Sequence, residues 1–194
     1  MADAHVQIAG QLSPAKTFDL EADTLVVDGE AKTLCEGLTE KQLAFCMRPE
    51  KWSIAQNLAH LRTTAEVFLP AIDFVLEQTR MQELLSQDSS ALGPYGRLMV
   101  WQMNSRWMFK LRAPQAIQPR LLPSPCLELE HFLLSQAAMR KRIQESAGLN
   151  LTAMRFPSPV AKFVRMNLLE CFSVLNAHCR RHLRQANKVR RALS

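Results

Sequence analysis

Residues 168–189 read LLECFSVLNAHCRRHLRQANKV, and their periodicity decides the fold. Leu168, Cys171, Leu175, His178, His182, Gln185 and Val189 recur in a strict 3-4 alternation, the spacing of an inward seam on a packed helix. Two histidines four apart lie on that seam. Positions i and i+4 of a helix share a face with Cβ atoms about 5–6 Å apart, so both imidazoles can converge on one ion through bonds of about 2.0–2.1 Å. His60, in AQNLAHL at residues 55–61, can supply a third ligand. Structural zinc sites usually close with four ligands, whereas three leave a position for water or substrate.

Working back from this helix, the sequence predicts three more. Leu20, Val27, Ala31, Leu34 and Leu38 recur at helical spacing, interrupted by Gly29, after a loose leader over residues 1–17 that contains Pro14. Thr39 and Gln42 form a capping-box pattern for a short turn, and Ser53 and Gln56 form another. Behind the second box Ile54, Leu58, Leu61, Ala65, Phe68, Ile72 and Val75 keep one stripe for six turns, with Pro70 able to bend the helix without ending it. Residues 86–123 carry four prolines together with Trp101, Trp107 and Phe109, which reads as an ordered connection over the body of the domain. Ser124-Pro125 and Ser158-Pro159 each look like a cap followed by proline at the first helical position; Gly148 suits the end of the third helix. With no convincing strand, the expected architecture is all-α: a four-helix bundle over residues 18–194 with a long connection between helices 2 and 3.

The residues around the histidines sort by helical angle. His60 falls roughly 110° from the centre of its stripe, at an edge that Asn57 and Thr64 share, making a polar strip suited to supporting a site. Cys179 points about 100° away from His178 and is not expected to be a ligand. Arg181, about 60° from His178, can reach an anionic substrate at the rim, with Gln185 further along the seam. His131 aligns with Leu127, Leu134 and Ala138 and reads as a core histidine. Trp101, Trp107 and Phe109 are candidates for an apolar cover.

These residues resemble the DinB/YfiT-like superfamily of four-helix-bundle metalloenzymes, particularly its DinB-like domain group. The likeness spans roughly residues 20–191 and rests on RPEKWSIAQNLAHL, GLNLTAMRFPSPV and LNAHCRRHLRQANKV. It implies that His60, from the second helix, and His178 and His182, from the HxxxH of the last, bind a divalent metal, zinc or nickel. Cys179 departs from the charged residue that many relatives carry after the first histidine of the pair. Some relatives are S-transferases that use bacillithiol or mycothiol, and others hydrolyse or isomerise thiol conjugates. The resemblance thus implies a small-molecule thiol and an electrophile as substrates, with hydrolysis on the same site, or a non-catalytic metal-binding bundle, as alternatives.

Composition narrows the remaining classes. The chain has 194 residues, 47% of them hydrophobic, enough for one domain with a sizeable core. Five cysteines without CxxC spacing argue for reduced thiols in a cytoplasmic protein. The N-terminal stretch lacks a signal-peptide pattern and no run is apolar enough to span a membrane. Residues 140–194 hold 12 of the 24 basic groups and 2 of the 18 acidic ones. Arg180, Arg184 and Arg191 lie about 200–240° from His178, a solvated outer face without interleaved aromatics, so nucleic-acid binding is not expected. Outer helix faces of such bundles also offer a homodimer contact.

Overall fold

Capping boxes open three of the helices in the computed structural model, which describes residues 17–85, 91–105 and 113–193. In chain order these are α1 (Thr17–Cys35), α2 (Glu40–Leu43), α3 (Ile54–Met81), α4 (Pro94–Asn104), a 3-10 turn (Gln115–Ile117), α5 (Leu127–Glu145), β1 (Phe156–Ser158), β2 (Ala161–Met166) and α6 (Leu168–Arg191). Both predicted capping boxes form: Thr39 accepts from Gln42 N ahead of α2, and Ser53 accepts from Gln56 N ahead of α3, with each glutamine reaching back. Pro70 lies inside α3, which continues to Met81. Together α1, α3, α5 and α6 form the predicted four-helix body.

Three expectations need correction. Ser158-Pro159 does not open the last helix. It sits at the turn of a hairpin in which β1 and β2 pair antiparallel, Phe156 opposite Met166, and Ser158 Oγ accepts from Val160 N. Proline's fixed φ suits a turn as well as a first helical position, and the stronger start signal lies further on. Asn167 accepts from Glu170 N while the Glu170 side chain accepts from Asn167 N, a capping box that starts α6 at Leu168. Second, the long connection contains α4, where Gly93 is the N-cap and Pro94 the first helical residue. Third, α5 begins at Leu127, three residues after Ser124.

The core forms two apolar clusters stacked along the bundle. One gathers Phe68, Ile72, Met139, Ile143, Leu168 and Phe172; the other gathers Val27, Ile54, Leu58, Phe132, Leu183 and Ala186. Between them runs a buried polar belt of Thr24, Asp28, Thr63, Thr64, Gln136 and Asn176. Arg140 reaches Asp28 at 2.9 Å and Thr24 at 3.3 Å across it. α4 lies along α6 by close approach: a Cβ on Gly96 would meet Glu170 Cγ at 2.7 Å, and Arg184 donates to the Met103 carbonyl at 3.2 Å. Among the described residues no helix is long and apolar enough to cross a membrane.

Candidate metal centre

His60 enters the site from the second turn of α3, and His178 and His182 from consecutive turns of α6. One ring nitrogen from each lies within 4.8 Å of the others. Hydrogen bonding settles which nitrogen. His60 Nδ1 lies 2.5 Å from the Ile117 carbonyl; a carbonyl only accepts, so Nδ1 carries the proton and Nε2 the lone pair. His182 Nδ1 donates to Asn57 Oδ1 at 3.0 Å. Asn57 is itself oriented, its Nδ2 donating to the Ser53 carbonyl at 2.8 Å and the Trp52 carbonyl at 3.4 Å, which turns Oδ1 toward the histidine. The Nε2 atoms of His60 and His178 are 3.1 Å apart, close to the roughly 3.3 Å that two such bonds subtend at a tetrahedral ion.

The donor set therefore fits a divalent metal. All three imidazoles are held from protonation. Burial lowers the pKa of His60 against the opposing pull of the Ile117 hydrogen bond. Burial, then His60 and Arg181, bring His178 down to about 3. His182 falls well below its ordinary value for the same reasons, with His178 as an added neighbour. Neutral imidazoles are the form that ligates metal, and in His60 and His182 Nδ1 is tied to an outer acceptor. Trp52 covers the group, its ring centroid 4.7 Å from His60 and 5.6 Å from His182.

Arg181 is half-buried and its charge acts on both His178 and His182. Burial, then Arg184, pull its own guanidinium below the ordinary pKa. Among the described residues it makes no ion pair. Gln185 is half-buried one turn beyond His182. Trp101 is 62% exposed on α4 and stacks on none of the histidines, while Trp107 and Phe109 lie outside the described residues. His131 is exposed on α5 rather than in the core, because α5 turns Phe132, Ser135, Gln136 and Met139 inward instead. Cys179 faces the second cluster and accepts from Gln136 Nε2 at 3.5 Å. The basic face is less free than expected: Arg180 pairs with Asp23 on α1, and Arg184 donates to the Met103 carbonyl.

Two participants escaped sequence reasoning. The Ile117 carbonyl is a backbone group with no residue-type signature. Trp52 had a signal, since it directly precedes the Ser53 cap that fixes its place against the first turn of α3.

Comparison with known families agrees with this geometry. Residues 29–186 match the DinB superfamily. The chain belongs to the DinB superfamily. No curated protein and no solved structure gives a significant match to the chain, so its membership and its own side chains carry the functional argument. The match covers all three histidines of this DinB protein, together with Trp52, Asn57 and Ile117.

Proposed function

We propose that this DinB protein is a metal-dependent transferase that joins a low-molecular-weight thiol to an electrophile, with zinc or nickel held by His60, His178 and His182. The observation that carries the reading is the three-donor centre itself. Among the described residues no Cys, Asp or Glu joins the histidine group, which suits an ion with a position left for substrate. A bound divalent ion supplies Lewis acidity there, lowering the pKa of a thiol from its ordinary value of about 8.5 so that thiolate is available near neutrality.

The chain's residues do the rest. Ile117 and Asn57 fix the ring orientation of His60 and His182, and Trp52 shields the imidazoles from water. Arg181, which makes no ion pair among the described residues, offers its cation to an anionic part of the substrate. The thiol sulfur forms the new bond to the electrophilic carbon, the leaving group departs with its electron pair, and the thiol proton passes to solvent.

The test is metal analysis of protein purified under zinc- or nickel-replete conditions, followed by a thiol panel against a generic electrophile. The parent is expected to hold one ion per chain, and His60→Ala and His178→Ala to lose it while staying folded. Equal, negligible metal in parent and variants would sink the metal reading. Unfolding on metal loss would make the ion structural, and a metal-loaded parent inert toward every thiol would remove the transferase assignment.

A further inference from the structure

The carbonyl that holds His60 comes from a strap, residues 113–122, that has no long helix of its own. Its 3-10 turn ends at Ile117, and Gln118 Nε2 donates back to the Ala113 carbonyl at 2.5 Å. What fixes the strap to the bundle is an ion pair almost without solvent exposure. Arg62, two residues after His60 on α3, is 7% exposed, and Glu128, on the first turn of α5, is 0% exposed. Arg62 Nε lies 3.4 Å from Glu128 Oε2. Each partner then spends a further group on the strap: Arg62 Nη2 donates to the Arg120 carbonyl, and Glu128 Oε1 accepts from Leu122 N at 2.6 Å. The third arginine nitrogen donates to Glu66 at 2.7 Å.

We propose that Arg62 and Glu128 are positioning residues of the histidine centre, acting through the strap to hold the Ile117 carbonyl against His60 Nδ1. A buried ion pair is a poor device for stability alone, since well-packed apolar residues of similar volume often do as well or better. Here both charges point their remaining hydrogen-bonding capacity at successive backbone groups of one irregular segment. A loop with a 3-10 turn cannot satisfy those groups internally, and the arginine's fork is suited to spanning several acceptors at once. The consequence falls on His60: without the carbonyl the ring can rotate and exchange tautomers, so the Nε2 lone pair is no longer held toward His178 and His182. Outer partners of metal-binding histidines typically contribute a factor of about 10–100 in metal affinity.

The inference rests on the metal reading above, and one of its readouts needs no metal. The double variant Arg62→Met/Glu128→Leu replaces both charges with apolar groups, so the bundle is expected to keep a thermal midpoint close to the parent's. In metal-free protein the His60 Nδ1–H proton is expected to exchange with solvent at least about tenfold faster, and Zn2+ affinity, by chelator competition, to fall about 10–100-fold. A folded double variant with parental exchange and parental affinity overturns the proposal. Should the double variant fail to fold, Glu128→Gln decides by the same two measurements, unchanged values again overturning it. A parent that binds no Zn2+ defeats the metal reading alone, because the exchange rate still reports whether the strap holds His60.

Discussion

Asn57 and Cys179 both stand close to the histidines, and their surroundings give them opposite roles. Asn57 is 1% exposed with its amide anchored to two backbone carbonyls and its oxygen on His182. Cys179, next to His178 in sequence, is buried in the apolar cluster, and desolvation raises its thiol pKa to about 12. It lies outside the histidine group, and its burial disfavours the thiolate that a ligand or nucleophile needs. Asn57→Leu is therefore expected to weaken zinc binding about 10–100-fold while Cys179→Ala leaves it unchanged and costs about 1 kcal/mol of stability through lost packing. Chelator competition and urea unfolding on both variants check this; a Cys179→Ala protein that loses metal would contradict the assignment. Helical angle alone separates the two in the sequence: Cys179 turns off the seam, and Asn57 shares the edge of α3 with His60. The sequence could not place Ile117, whose contribution is a carbonyl that any residue possesses.

At the level of elements, legibility followed the strength of local signals. Helices α3 and α6 have long stripes and capping boxes, and the two that bring the histidines together were readable from periodicity. The hairpin and α4 were not, because Ser158-Pro159 and Gly93-Pro94 are each compatible with a turn or a helix start, and tertiary contacts choose between them. For α4 the choice depends on Gly96, whose missing side chain lets the helix approach Glu170. Gly96→Ala tests that dependence because two effects oppose each other. Better helix propensity would stabilise by about 1 kcal/mol, whereas the added methyl would press on a Glu170 side chain fixed by its capping bond to Asn167, at about 1–3 kcal/mol for overpacking. The clash is expected to win, lowering the thermal midpoint. A midpoint raised above the parent's would mean that α4 does not rest on Glu170.

Across the whole molecule, the histidine triad sits beside the buried polar belt of the bundle. In the polar belt between the two core clusters, Asp28 Oδ1, Thr63 Oγ1 and Gln136 Oε1 are buried without a hydrogen-bond partner among the described residues, and His60 and His178 enter beside it. Burying three neutral imidazoles there ties the metal-free fold to pH. Their folded pKa values lie below the ordinary 6.5, with His178 at about 3. As pH falls below about 6.5 the unfolded chain takes up protons that the folded chain refuses, so the unfolded state gains. Stability from the triad is complete above that pH and declines through the window from about 6.5 toward 3. Urea unfolding in the presence of chelator is thus expected to show a lower midpoint at pH 5 than at pH 7. His60→Ala/His178→Ala/His182→Ala should flatten the difference, since the three imidazoles whose folded pKa values are lowered are then gone. Zinc at saturating concentration should raise stability at pH 7 by about 2.7 kcal/mol per hundredfold excess over its dissociation constant, and by less at pH 5, where protons compete for the same lone pairs. A metal-free midpoint that rises on acidification would show that the three imidazoles are not held neutral by the fold.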